Sequence, residues 1–318
     1  MQALVTGAAG FVGSNLAEAL LARGDRVVGV DCFVPYYDEA TKRANLETLI
    51  ASPDGKFVEA DLRTADIDAL LDDVDVVFHQ AAQAGVRHSW AGGFADYLGH
   101  NVLATQRLLD AVHRCGARRV VYASSSSVYG NQARYPTTEE DLPRPYSPYG
   151  VTKLAGEHLC GLYAENWGLP VVALRYFTVF GPRQRPDMSI HRLCEAALSG
   201  AVFPRYGDGN QVREFTYVAD IVAGNLAAAE ADIAPGSYMN LAGGGELTLN
   251  ELIATVERLA GTAVKIEEHP SVPGDARRNG GVTERARALL GWEPQTSLEA
   301  GLANQLTWHK QRASLDNK

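Results

Sequence analysis

Only four cysteines occur in the 318 residues, Cys32, Cys115, Cys160 and Cys194. They show neither CxxC nor Cys/His spacing, so neither a disulfide scaffold nor a zinc site is indicated, and they read as small buried residues in a reducing compartment. Long apolar runs are also missing. None approaches the ~18 residues of a membrane helix, and Met1 leads into Ala3–Thr6 without the basic and apolar regions of a leader, so a cytoplasmic, membrane-free protein is expected. Positive charge is in deficit: 29 Lys and Arg stand against 38 Asp and Glu, a net charge of −9. Such a surface repels polyanions, which argues against nucleic-acid binding and requires any phosphate to be met by a local site. Internal repeats, low-complexity segments and charged linkers are absent as well.

What is present is the composition of a folded protein, 46% hydrophobic and 21% charged, at a length that suggests two domains. Strands are expected at Ala3–Thr6, Arg26–Asp31, Phe57–Asp61, Val74–His79, Arg119–Ala123 and Val171–Arg175. Several are apolar almost throughout, as strands covered on both faces are. Between the first two, Val12, Leu16, Ala19 and Leu20 recur at helical spacing. This βαβ alternation implies an α/β fold with a doubly wound parallel sheet over residues 1–175. After Arg175, Gly and Pro punctuate shorter elements, with helical patterns at Ser189–Leu198, Leu249–Ala260 and Thr283–Gly291. Residues 176–318 therefore read as a smaller domain, with about 214–240 returning to the first, and Arg312–Lys318 as a frayed end.

Three motifs carry chemistry. Gly7, Gly10 and Gly13 lie where the first strand meets the first helix. Glycines there let backbone N–H groups, those of Phe11 and Val12 among them, approach a pyrophosphate. Asp31 ends the second strand, placed to accept hydrogen bonds from ribose hydroxyls and to repel a 2′-phosphate, which favours NAD over NADP. In Ser147-Pro148-Tyr149-Gly150-Val151-Thr152-Lys153, Ser147 caps and Pro148 starts a helix on which Tyr149 and Lys153 share a face. A lysine beside the phenol is expected to lower its pKa and make it a usable base. Ala155, Leu159, Leu162 and Tyr163 form the packing stripe of that helix. Ser124, Ser125, Ser126 and Ser127 end the fifth strand, at the edge where parallel sheets bind ligands. Taken singly, these read equally as a tight turn, a surface pair and a polar turn.

Together they resemble the extended short-chain dehydrogenase/reductase superfamily, along nearly the whole chain, and specifically its nucleotide-sugar epimerases and dehydratases. The resemblance implies a Rossmann domain with bound NAD and a smaller domain for the nucleotide sugar. It makes Ser125 the catalytic Ser/Thr beside Tyr149, and Lys153 a ligand of the nicotinamide ribose. Asp61 and Leu62 match the adenine-contact segment. Ala81, Ala82 and Gln83 fall in the stretch that lines the cofactor after the fourth strand, and Arg87 at its end counts toward substrate binding. Arg175–Met188 is similar to the matching segment of UDP-glucuronate 4-epimerases, with Thr178 where UDP-glucose 4-epimerases usually carry Asn. Thr178, Ser126, Ser127 and Arg185 then give a carboxylate cradle, since an anion needs converging donors. Tyr206–Val218 resembles the nucleotide-diphosphate segment, with Tyr206 against uracil and Arg213 on the diphosphate. Around Gly274-Asp275 the chain departs from the family pattern, leaving Arg277 and Arg278 both as candidates for the second phosphate ligand.

The reaction implied is reversible inversion at C4 of UDP-glucuronate through a 4-keto sugar. Related dehydratases and decarboxylases generally carry an acid two positions after the catalytic Ser/Thr, where this chain has Ser127. UDP-glucose 4-epimerase is the rival reading. A non-catalytic NAD-sensing regulator and an interaction protein on an enzyme scaffold are readings of another class. The resemblance also implies a homodimer that pairs the Tyr149 helix with the one near Asn101–Arg114.

Overall fold

Apolar β-branched segments become strands buried on both faces, and the amphipathic segments between them become the helices that cover them. The computed structural model describes residues 1–90, 93–271 and 277–316. β1 (Gln2–Thr6), β2 (Arg26–Asp31), β3 (Gly55–Glu59), β4 (Val76–His79), β5 (Arg119–Ser125) and β6 (Val171–Tyr176) stand close to where the sequence pattern put strands. β3 is the exception at its end, stopping at Glu59 and leaving Asp61 on the following loop. β7 (Thr178–Phe180), β8 (Val202–Tyr206) and β9 (Val212–Tyr217) follow, and β10 (Ser237–Leu241) returns to pair with β6. Among the described residues seven strands form one parallel sheet in the order β10-β6-β5-β4-β1-β2-β3. Strand order reverses between β1 and β4, which opens a crevice at their carboxyl ends.

Leu4, Val5, Val77, Phe78, Val121 and Leu174 are fully buried in this sheet. Helices Phe11–Ala22 and Val218–Glu230 cover one face, and Ala104–Cys115 and Pro148–Trp167 the other. Each such aliphatic side chain contributes roughly 1.5–3 kcal/mol on burial. Beyond the sheet, β9 pairs with β7, β11 (Glu246–Thr248) and, in the same small sheet, β13 (Arg278–Asn279). β8 pairs with β12 (Lys265–His269). Helices Ser189–Ser199, Leu249–Ala260 and Leu298–Asp316 close a separate core around Phe180, Phe203 and Phe215. Of the end expected to fray, Arg312–Asp316 continue the last helix, and the Arg312 guanidinium donates to Thr41 Oγ1 at 2.9 Å; Asn317 and Lys318 lie outside the described residues. All four cysteines are free; Cys160 and Cys194 are buried, whereas Cys115 is exposed in the last turn of its helix, against expectation. Among the described residues no helix is long and apolar enough to cross a membrane.

The Pro148–Trp167 helix sits unusually close to the end of β5. A Cβ on Gly156 would lie 2.1 Å from the Tyr122 hydroxyl, and one on Gly150 2.5 Å from the Ser127 carbonyl oxygen. Glu157, next to Gly156 in the same interface, accepts from Ser124 Oγ at 2.7 Å and from Arg175 at 2.8 Å. That ion pair is almost fully buried, and removing one partner of such a pair costs about 3–5 kcal/mol. The packing stripe follows from this docking: Gly156, Cys160, Tyr163 and Ala164 are buried, and Leu162, expected in the stripe, is half exposed. Gly156→Ala is therefore expected to destabilise the protein by about 1–3 kcal/mol through overpacking. Gly161→Ala on the same helix meets nothing within 4 Å and is expected to stabilise by about 0.5–1 kcal/mol. Urea denaturation of the two variants checks the contrast.

Candidate active site

At the crevice lies a cleft of about 920 Å³ lined by the glycine turn, the serines, Tyr149 and Lys153 on one side and by β8, β9 and residues 185–192 on the other. The first turn of helix Phe11–Ala22 begins at Gly10 with no side-chain cap, so its N–H groups are left for an anion. A Cβ on Gly13 would lie 2.1 Å from the Gly7 carbonyl oxygen, and one on Gly7 2.8 Å from the Ala81 backbone; at Gly7 φ is +70°. Only glycine allows the turn to close this tightly. Asp31 accepts from Ala9 N at 3.1 Å and Phe33 N at 2.9 Å, and its burial raises its pKa against those bonds.

Asp31, Asp61, Leu62, Ala81, Ala82 and Gln83 line an adjoining pocket of about 120 Å³, continuous in its residues with the turn at Gly7 and Gly10. Asp61 is gripped by Arg63, with contacts of 2.7–3.1 Å that hold its carboxyl below the usual range. Uncapped N–H groups, a ribose-side carboxylate and an adjoining slot fit a dinucleotide.

Ser147 Oγ accepts from Gly150 N at 3.1 Å and Pro148 starts the helix, as the sequence indicates. Lys153 Nζ donates to the Ala123 carbonyl oxygen at 2.8 Å and is nearly fully buried. Burial brings its pKa down to about 8. Tyr149 departs from expectation. Its pKa is raised, because burial penalises the phenolate more than the Arg185 charge and the Ser125 hydrogen bond favour it. Lys153 is not among the groups that lower it, since its ammonium is turned to the strand carbonyl.

Ser126, Ser127 and Thr178 line the cleft beside Tyr149. Ser126 Oγ accepts from Asn279 Nδ2 at 3.0 Å. Arg185 reaches the cleft with its fork on Asp187, at 2.9 and 3.1 Å, and Asp187 also accepts from Tyr36 at 3.2 Å. Arg87, Arg213 and Tyr206 line the opposite wall. The Tyr206 ring carries the Arg87 guanidinium at 4.5 Å and stacks on His269 at 5.1 Å, contacts that compete with a base for its faces.

Neither remaining arginine lines the cleft. Arg278 pairs with Glu246 at 2.8 Å and covers the Tyr135 ring at 3.6 Å, because the two-residue strand β13 turns it to the far side. Arg277 is exposed beside Asp208. Gly274-Asp275 lies outside the described residues. Three residues went unread in the sequence. Asn279 and Tyr36 offered no local signal. Asn101 sits in a wide helical turn, accepts from Gln83 N at 2.7 Å and donates to Gln83 O and to Thr152 Oγ1, tying the cofactor-side loop to the Tyr149 helix.

Lys153 yields a pH test. It loses its proton near 8 when folded and at 10.5 when unfolded, so in between the unfolded chain holds a proton the folded protein lacks. Lys153 by itself then makes the ligand-free protein more stable from pH 8 toward 10, while the buried thiols of Cys160 and Cys194, held protonated when folded and ionising near 9 when unfolded, act in the opposite sense. Lys153→Met should remove the Lys153 part alone, so that in denaturant titrations the variant loses stability relative to the unsubstituted protein as the pH goes from 8 to 10.

The family model described as NAD dependent epimerase/dehydratase family matches residues 3–242. An uncharacterized UDP-glucose epimerase YtcB of Bacillus subtilis is 40% identical over 97% of this chain and 98% of its own length. A UDP-glucuronate 4-epimerase of Thermodesulfobacterium geofontis is 36% identical over 98% of this chain and 97% of its own. The crystal structure of a UDP-glucuronic acid 4-epimerase from Bacillus cereus, in complex with UDP-glucuronic acid and NAD, superposes with a TM-score of 0.95 at 40% identity, covering 98% of this chain and all of that one.

Proposed function

The chain belongs to the NAD dependent epimerase/dehydratase family, and from that premise we propose that it inverts C4 of UDP-glucuronate reversibly to UDP-galacturonate. The observation that carries this reading is the set of hydroxyls from Ser126, Ser127 and Thr178 in the same cleft as Ser125, Tyr149 and Lys153. The likeness to an epimerase that binds UDP-glucuronic acid and NAD supports it.

NAD, held by the glycine turn, Asp31 and Lys153, supplies the acceptor and donor of a hydride and is regenerated each turn. Tyr149 takes the proton of the C4 hydroxyl, directly or through Ser125, as C4 becomes a ketone. Arg185 and Ser125, the groups that favour the phenolate, lower the cost of that step. The 4-keto uronate is a β-keto acid, which loses CO2 when its carboxylate bond aligns with the carbonyl π system. Ser126, Ser127 and Thr178 hold the carboxylate out of that alignment, and Arg185 joins them when it leaves Asp187. Arg213 and Arg87 meet the diphosphate end. No carboxyl stands at Ser127 to serve dehydration.

Residues 1–175, with the returning helix Val218–Glu230 and β10 from the stretch of about 214–240, form the cofactor-binding unit in this reading, and the rest of 176–318 the nucleotide-sugar unit. The protein works in the cytoplasm as a homodimer. Exposed Leu98, Leu103, Val151, Leu162 and Trp167, on and beside the two helices expected to pair, support that assembly.

A substrate panel tests the reading. UDP-glucuronate should turn over faster than UDP-glucose, and the reverse order would transfer the assignment to the UDP-glucose epimerases. Tyr149→Phe is expected to lower kcat by at least ~10²-fold while NAD stays with the protein. Undiminished turnover in that variant would sink the proposed base, and loss of NAD would point to a binding role.

A further inference from the structure

Outside the cleft, helix Ser189–Ser199 and the terminal helix Leu298–Asp316 bring His191, Glu195 and His309 together. One nitrogen or oxygen of each lies within 4.8 Å of those of the other two. His191 and Glu195 are one helical turn apart, and His191 Nε2 is 3.3 Å from Glu195 Oε1. The two imidazoles meet edge to face with centroids 4.5 Å apart.

His191 Nδ1 lies 2.6 Å from the Gln184 carbonyl oxygen. A carbonyl only accepts, so Nδ1 carries the proton and Nε2 is the nitrogen turned to Glu195. This is the arrangement by which a backbone carbonyl orients a metal-binding imidazole. Independently, His309 Nε2 is buried without a hydrogen-bond partner, in a side chain only 7% exposed. An unpaired polar atom at such depth costs about 1–3 kcal/mol unless something occupies the space before it. A carboxylate and two imidazoles are thus gathered at one place, a set that a cation would satisfy.

We propose that His191, Glu195 and His309 bind a divalent d-block cation, zinc by ligand type, with water completing the set at the exposed Glu195 side. Two imidazoles and a carboxylate form a recurrent zinc donor set. A tetrahedral ion about 2.0–2.1 Å from each donor places neighbouring donors about 3.3 Å apart, the separation already present between His191 and Glu195. The Trp308 ring packs on both imidazoles, at 6.2 and 4.9 Å, and shelters them from water. Arg312 is the nearby cation, and its guanidinium is turned to Thr41.

The site bears on the cleft through Gln184. Its carbonyl orients His191, and its side chain bonds to the Val179 carbonyl and to Gln305 of the terminal helix. Gln305 in turn accepts from Gly181 N. A bound ion would fasten the terminal helix to the root of the segment that carries Arg185 into the cleft.

The test is calorimetric titration of tag-free, NAD-loaded, EDTA-treated protein with zinc chloride, with magnesium chloride as control. One zinc ion per chain, a higher Tm, and visible absorption bands of four-coordinate cobalt on substitution are expected. Glu195→Gln and His309→Gln should each weaken zinc binding at least tenfold, as losses around a metal site do. Glu195 is exposed, so its variant keeps the test sound even if His309→Gln fails to fold. Absence of stoichiometric zinc binding would show that a proton alone balances the cluster and overturn the proposal. Binding undiminished in both variants would place the ion elsewhere, for instance at Cys32, Asp61 and His100, and overturn it equally.

Discussion

The active site rests on the separation between the Pro148–Trp167 helix and the carboxyl end of β5. Two glycines allow it: Gly150 lets the Ser127 backbone, and Gly156 the buried Tyr122 ring, come where a Cβ would stand. The buried Glu157–Arg175 pair and the Lys153 bond to the Ala123 carbonyl fix it from both ends. With the spacing set, the Ser125 hydroxyl meets the Tyr149 phenol, and the serines that follow turn into the cleft. Asn101 extends the same constraint to the cofactor side, since it binds both the Gln83 backbone and Thr152 on that helix. Chemistry and cofactor contacts are thereby tied to one rigid docking rather than to mobile loops.

This docking also sets the electrostatics. Burial makes both Lys153 and Tyr149 reluctant to carry charge, lowering one pKa and raising the other. The phenol is therefore no readier to ionise in the ligand-free protein than in water. Its ionisation depends on groups aimed at it, the Ser125 hydroxyl and the Arg185 charge. Arg185 in turn is held by Asp187 and Tyr36, so a substrate carboxylate that draws it away changes the field at the base. In the proposed reaction, recognition of the acid group and activation of the base are coupled through one guanidinium.

Much of this was legible in the sequence, for physical reasons. The sheet strands announce themselves because burial on both faces leaves nearly unbroken apolar runs, and the glycine turn because close backbone approach tolerates no substitute. Tyr149 and Lys153 were found because helical spacing puts them on one face. That same argument failed on their electrostatics: spacing does not show that the ammonium reaches a strand carbonyl instead of the phenol. Long-range partners were equally invisible. Nothing local marks Asn279 against Ser126, Tyr36 on Asp187, Asn101 behind Gln83, or Arg278 turned away onto Tyr135. The His191/Glu195 pair stood in plain view at one-turn spacing, but its third member comes from a helix more than a hundred residues later.

The central claim is that hydrogen leaves C4 as hydride and returns to the same carbon without meeting water, while Tyr149 moves only the hydroxyl proton. The most direct measurement follows UDP-glucuronate bearing deuterium at C4 through many turnovers in ordinary water, by NMR and mass spectrometry of the UDP-galacturonate formed. The account predicts that the deuterium stays at C4 of the product. Its replacement by solvent hydrogen at the rate of epimerisation would contradict hydride return and with it the role given to Tyr149.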